Sequence, residues 1–253
     1  MEVMLIVLPP SETKSFGGDG AALDLASLSF PSLTATRSDI AHDLARMDDE
    51  QAMNVLGLSA KLRDEASHNR QLFSSPTQPA ILRYTGVLYD ALDPASLSRE
   101  AWQHLSIGSA LFGVLMANDH IPHYRLSGSV KLPPAHRTLK SRWGSQITDE
   151  LASYQEKHSG PVIDLRSGTY QQLGKLPGAI TIRVESERPD GTRKVVSHFN
   201  KHYKGLVARQ LASHADSFDS TPLALPAIAD CLGEAGMRVE MPSGKSTELT
   251  LVV

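Results

Sequence analysis

Residues 197–211 read Ser-His-Phe-Asn-Lys-His-Tyr-Lys-Gly-Leu-Val-Ala-Arg-Gln-Leu. Phe199, Tyr203, Leu206, Val207 and Leu211 recur with a period of about 3.6, which constrains this stretch to a helix with one face on a core. Asn200 is placed to cap it. Lys201, Lys204, Gly205, Ala208 and Arg209 fall on the opposite side of the wheel, predicting a cationic free face with room between its charges. From residue 191 to residue 214 no Asp or Glu neutralises that face, and Arg193 and Lys194 add to it. Two readings are open. The face receives a phosphate chain, or it is the solvated side of an amphipathic helix whose lysines touch only water.

Charge elsewhere bears on that choice. The 253-residue chain has a net charge of −3, which by itself argues against a nucleic-acid binder. The distribution says otherwise. Residues 120–148 form a second acid-free stretch, carrying Arg125, Lys131, Arg137, Lys140 and Arg142. The two stretches hold ten of the 25 cationic residues and none of the 28 acidic ones, leaving 15 against 28 elsewhere. Such segregation predicts a basic surface on an acidic body, provided the two stretches meet in space.

An apolar content of 41% and a charged content of 21% are ordinary for a globular chain. No apolar run approaches the roughly 20 residues of a membrane span. No cationic segment precedes the short apolar run 3–8, which reads against a signal peptide. The single cysteine, Cys231, excludes an internal disulfide framework and a two-thiol switch. Cytoplasmic residence is the expectation, with no membrane and no obligate protein partner.

Along the chain, residues 3–8 read as a buried strand stopped by Pro9 and Pro10. The polar loop Ser11-Glu12-Thr13-Lys14 follows, then a Gly-rich run, 16–20, which lacks a Walker signature and reads as a flexible loop. Ser11-x-x-Lys14 matches the nucleophile motif of penicillin-binding proteins, but the companion tripeptides are missing. Residues 39–73 are helical in pattern, with a break near Gly57. Residues 79–92 continue as helix, with Gly86 inside it, and Ser98 caps a helix through Trp102. The uncharged run 104–116 holds Gly108 and Gly113 and reads as a tight turn between helices, either a place for backbone N–H groups to meet phosphate or a buried packing turn. Strands are expected at 162–165, at 179–184 paired with 194–199, and at 237–241 paired with 248–252. A short helix is expected at 223–232. His120 and His123 are separated by Pro122, and His198 and His202 lack a nearby carboxylate, so no metal set and no cofactor is expected. The fold class is α+β: one compact domain over residues 1–253, with a mixed sheet surrounded by helices.

Taken in order, several segments resemble the YaaA family of bacterial peroxide-stress resistance proteins. The resemblance runs through Pro-Ser-Glu-Thr-Lys (10–14), Tyr-Thr-Gly-Val-Leu-Tyr (84–89) and Leu-Phe-Gly-Val-Leu (111–115). It continues in Ile-Pro-His-Tyr-Arg-Leu (121–126), Arg-Trp-Gly (142–144), Asp-Leu-Arg-Ser-Gly-Thr-Tyr (164–170) and residues 197–209. It implies a helix-hairpin-helix element at residues 107–113, a positively charged cleft, and low-specificity binding of duplex or branched DNA that limits oxidative damage. Nucleic-acid contacts would fall to Lys14, Gly108, Gly113, Arg125, Arg142, Lys201, Lys204 and Arg209. The alternative is an enzyme acting in the same cleft on a nucleic-acid base or a small phosphorylated substrate. Its candidate catalytic residues are Lys14, Tyr124, Ser167, Tyr170 and Lys201, with a desolvated lysine as nucleophile or base. Two departures from the family pattern are Ala110, where a glycine is usual, and the Ser-Glu-Thr-Lys start itself.

Overall fold

A computed structural model of the chain describes residues 3–195, 199–215, 218 and 224–253. Strand β1 (Leu5–Leu8) is apolar at every position and buried on both faces, as the middle strand of a covered sheet must be. The helical pattern after it resolves into α1 (Thr34–Ala45), α2 (Asp49–Leu56) and α3 (Arg63–Arg70). Gly57 ends α2 with a positive φ of 63°. Strand β2 (Gln78–Pro79) leads into α4 (Ala80–Arg83) and α5 (Val87–Leu92). Gly86 separates these two helices at φ 98° rather than sitting inside one. Helix α6 (Arg99–Trp102) starts at Ser98, whose hydroxyl accepts the Ala101 N–H at 3.1 Å.

The next segment overturns an expectation. Strands β3 (Leu105–Ser109) and β4 (Gly113–Met116) pair antiparallel, so residues 107–113 belong to a β-hairpin and not to a helix-hairpin-helix. A short uncharged run buried on both faces has the same composition in a strand as in a helix, and periodicity cannot separate them. Gly108 and Gly113 are both buried and serve the packing. A Cβ on Gly108 would lie 2.5 Å from Cδ of Arg166, and Gly113 takes φ 74° against the Trp143 ring.

Strand β5 (His120–Ile121) pairs with β2, and β6 (Lys131–Leu132) with β7 (Arg137–Thr138). Then come α7 (Leu139–Trp143), α8 (Gln146–His158), β8 (Val162–Asp164), α9 (Gly168–Gln171), β9 (Ile180–Glu187) and β10 (Arg193–Val195). The chain closes with α10 (Asn200–Ser213), α11 (Ala224–Glu234), β11 (Arg238–Glu240) and β12 (Glu248–Val252). The expected hairpins β9–β10 and β11–β12 form; residues 196–198 of the first lie outside the described residues.

The main sheet runs β11-β12-β9-β8-β1-β3-β4, with β10 against the far end of β9. Its centre, β12-β9-β8-β1-β3, is parallel throughout, and β4 and β11 add antiparallel edges. This is the expected α+β chain with a mixed sheet, built on one continuous core. Arg37 of α1, fully buried, donates to the Phe112 and Val114 carbonyls at 2.8 and 2.7 Å and so occupies acceptors at the edge strand β4. No described helix is long and apolar enough to cross a membrane.

Helix α10 forms where predicted but is turned differently. Gly205, Val207, Ala208, Leu211 and Ala212 are buried, whereas Phe199 is 62% exposed. Gly205 meets α5 so closely that a Cβ there would lie 2.3 Å from the Leu88 carbonyl oxygen. The small residues therefore admit another helix's backbone, not a phosphate chain.

Candidate functional site

Chain connections leave β1 for β3 on one side, while β8 flanks β1 on the other. The carboxyl ends of β1 and β8 thus sit at the point where the winding reverses, which is where open α/β sheets place their ligand crevices. A cleft of about 700 Å³ opens there. Pro9, Pro10 and Glu12 from the loop after β1 line it, with Ser167 from the loop after β8, Thr169 and Tyr170 from α9, and Asn200, Lys201 and Lys204 from α10.

Its charge is mixed. Arg166, Lys175, Arg183, Lys201 and Lys204 face Glu12, Asp164 and Glu248. Several of these are already engaged. Arg166 is held by Asp164 at 2.8 Å, and Arg183 by Glu185 at 2.6 Å. Lys204 donates to the Leu165 carbonyl at 3.0 Å; burial lowers its pKa, against the charges of Asp164 and Glu248. Lys201 and Lys175 are exposed.

Behind Glu12 lies a drier compartment. Lys14 is only 7% exposed, and a β-bridge ties its backbone to Tyr84. Its Nζ donates to the Ser11 carbonyl at 3.0 Å and lies over two ring faces, 4.4 Å from the Tyr124 centroid and 5.3 Å from that of Tyr84. The rings stand nearly perpendicular, at 86°. Burial brings the Lys14 ammonium down from 10.5 to about 7, opposed by the charge of Glu12 and reinforced by that of Arg125. The Tyr124 hydroxyl lies 2.7 Å from that of Tyr84 and 2.8 Å from Ser109 Oγ, which accepts the Phe112 N–H. Burial raises the pKa of both tyrosines, so their hydroxyls stay protonated and the chain of hydrogen bonds is kept. Tyr170, at the cleft, is pushed up to about 12 by burial and then by Glu12.

The loop carrying Lys14 is held firmly. Arg83 donates to the carbonyls of Ser15 and Gly17 at 2.7 and 2.8 Å, and Gly20 bridges Thr77. The Gly-rich run read as flexible is therefore pinned. His123, 3% exposed, places Nδ1 3.1 Å from the Ser15 carbonyl and Nε2 2.9 Å from Glu65, with Phe16 stacked on it at 4.2 Å. Ser11 and Lys14 do not form a nucleophile pair, because Lys14 bonds the Ser11 carbonyl and Ser11 Oγ turns to the Thr13 carbonyl. Among the described residues no three His, Cys, Asp or Glu side chains gather as a metal set, and His198 lies outside them. Burial raises the thiol of Cys231.

A family model described as "Peroxide stress protein YaaA" matches residues 4–221. The chain belongs to the YaaA family. Related chains include a UPF0246 protein of Corynebacterium efficiens, 58% identical over 99% of this chain and 100% of its own length. A UPF0246 protein of Corynebacterium glutamicum is 54% identical over 99% and 100%. One of Streptomyces coelicolor is 38% identical over 99% and 98%. The YaaA match includes both loops at the carboxyl ends and the cleft face of α10; β11, β12 and the cleft residue Glu248 lie beyond it.

The candidate residues are divided among several parts of the molecule. Ser167, Tyr170, Lys201 and Lys204 line the cleft, and Lys14 and Tyr124 lie behind it. Arg125 joins the two through Glu12. Arg142 lies apart, paired with Asp43 at 2.7 Å beside a second hollow of about 420 Å³, and Arg209 is tied to the Leu92 carbonyl and to Asp93. Gly108 and Gly113 use their backbones in the sheet. The two acid-free stretches thus contribute to one cleft only in part. Glu12, Tyr84, Ser109, Asp164 and Arg166 were not singled out from the sequence. All lie within segments that carry the family resemblance, Ser109 in the stretch 107–113 expected as a hairpin between helices.

Proposed function

We propose that this peroxide stress protein is an enzyme that takes a nucleotide-sized group into the cleft at the carboxyl ends of β1 and β8, with Lys14 as its nucleophile or base. The observation that carries this reading is the Lys14 amine: 7% exposed, brought to about 7, and placed against the Tyr124 and Tyr84 rings behind a cleft of about 700 Å³. That volume falls in the range of small-ligand pockets, roughly 300–1,000 Å³. An amine poised near neutrality has a substantial unprotonated fraction at neutral pH, as a nucleophile or base needs. The group it takes is free, or extruded from nucleic acid.

The test is trapping with sodium borohydride in the presence of DNA containing an abasic aldehyde. A lysine amine adds to the aldehyde carbon and water leaves. Hydride from borohydride then reduces the C=N bond to a stable secondary amine. The expected result is a covalent adduct mapped to Lys14 and lost in Lys14→Ala. An adduct that survives in Lys14→Ala, or none at all, rejects Lys14 as the nucleophile.

A second reading is a DNA-binding protein without chemistry, holding duplex or branched DNA through sequence-independent phosphate contacts. It is favoured by Lys175 and Lys201, exposed at the cleft, and by the excess of cations over carboxylates in its lining. Labelled duplex and bubble DNA at two salt concentrations test it. Binding should weaken steeply with salt and collapse in Lys201→Glu. A flat salt response rejects it.

A further inference from the structure

One ion pair joins the cleft to the loop that carries Lys14. The Glu12 side chain is 48% exposed and lines the cleft, and its carboxylate lies 3.2 Å from Nη2 of Arg125. Nη1 of the same guanidinium donates to the Glu12 carbonyl at 2.8 Å. Arg125 is fixed from behind. Its N–H donates to Asn69 Oδ1 at 2.8 Å, its carbonyl accepts from Asn69 Nδ2 at 2.9 Å, and Asn69 is fully buried on α3. A guanidinium on an anchored stretch of backbone therefore faces a carboxylate that is half in water. Such half-open pairs are weak. Only Nη2 meets the carboxylate, through a charge-assisted contact that a phosphate oxygen can take over.

The geometry points to Arg125 as the oxyanion-recognising residue of the site, with the Glu12 carboxylate as an internal stand-in that a substrate phosphate displaces, opening the way to Lys14. This deepens the proposed enzymatic reading of the cleft and rests on it. Glu12 then has two tasks. It keeps Arg125 paired while the site is empty, and it makes entry selective for groups carrying an oxyanion. Neutral bases or sugars leave the pair closed. The ligand chemistry is a phosphate ester, carried either by a nucleoside 5′-monophosphate or by a phosphodiester of a nucleic-acid strand.

Calorimetric titration of the full chain separates these cases, using inorganic phosphate, a nucleoside 5′-monophosphate and a dinucleoside phosphodiester as probes. Glu12→Gln removes the competing charge at a half-exposed position. It should bind at least one probe about tenfold more tightly than the wild type. Arg125→Gln should abolish binding alone and in combination with Glu12→Gln, and Arg125→Lys, which keeps the charge but not the fork, should bind weakly. Tighter binding of the monophosphate alone assigns a free nucleotide; tighter binding of the diester assigns a strand. Unchanged or weaker binding in Glu12→Gln overturns the gate, as does binding that survives Arg125→Gln. Glu12→Ala repeats the comparison should the glutamine variant melt early. The outcome is distinct from that of trapping. Oxyanion binding as expected without a Lys14 adduct leaves the gate standing and removes the nucleophile; an adduct equal in wild type and Glu12→Gln, with no change in affinity, removes the gate alone.

Discussion

Arg166 grips Asp164 through both prongs of its guanidinium: Nε donates to Oδ1 at 2.9 Å and Nη2 to Oδ2 at 2.8 Å, at a position closed to water. Nη2 also donates to the Gly174 carbonyl at 2.7 Å, and Gly108 has no side chain because the Arg166 methylenes occupy that space. The pair fixes the loop after β8 against β3, and so fixes one wall of the cleft. Arg166→Met leaves a buried carboxylate without a partner and should cost about 3–5 kcal/mol. Adding Asp164→Asn should recover part of that loss. Urea unfolding of the two single variants and the double variant checks both statements.

Lys14 makes stability depend on pH. Its ammonium titrates at about 7 in the folded chain against 10.5 when unfolded, so the unfolded chain binds more protons between these values. Stability therefore rises with pH across that window. Lys204, lowered by burial, acts in the same direction. Above about pH 10 the tyrosines raised by burial reverse the trend, because the unfolded chain then loses protons first. In Lys14→Met the rise should flatten. The wild type should gain on the variant by on the order of 2 kcal/mol between about pH 7.5 and about pH 9.5. Denaturant unfolding at stepped pH measures it, and parallel curves for the two proteins would contradict the assignment.

At acid pH the pair of Glu65 and His123 contributes. Burial works to raise the Glu65 carboxyl, but the hydrogen bond and charge of His123 outweigh it and hold the group below its ordinary 4.5. A carboxyl lowered on folding stabilises the chain above its unfolded value, and that contribution is lost as pH falls through the folded one. Glu65→Gln should therefore lose its deficit against the wild type below about pH 4.5. Chemical denaturation at stepped acid pH checks the convergence. Because His123 also anchors the Ser15 carbonyl, hydrogen exchange in the loop after β1 should quicken in the same variant at neutral pH.

Gly205 faces two opposing effects. Alanine there gains roughly 1 kcal/mol of helix propensity. Its Cβ would also lie 2.3 Å from the Leu88 carbonyl oxygen and 2.8 Å from the Ala91 Cβ, and backbone cannot give way as a flexible side chain can. Overpacking of this kind costs about 1–3 kcal/mol, so Gly205→Ala should be destabilising on balance. A lowered urea midpoint with an unchanged slope is the expected reading.

Much of the fold was legible because local pattern fixed it. The apolar run of β1 ends at Pro9, Ser98 caps α6, and turn residues mark the β9–β10 and β11–β12 hairpins. Strands β3 and β4 were not legible, because residues 105–116 lack both alternation and charge. Residues quoted from the loops after β1 and β8 did converge on one cleft, since both strands end at the same edge of the sheet. Arg142 and Arg209 did not join them, because each found a carboxylate on another side of the molecule.

By itself, the sequence determined that α10 is a helix, that β1 is a buried strand, and that the chain has the marks of the YaaA family. Those properties depend on spacing and residue type within a short stretch. Only the tertiary structure decided which face of α10 is buried, that Lys14 loses its water between Tyr84 and Tyr124, and that Glu12 occupies Arg125. Each depends on what a distant segment brings to the contact. A glycine reads as open space until another backbone fills it, and a lysine reads as charged until burial makes that charge costly.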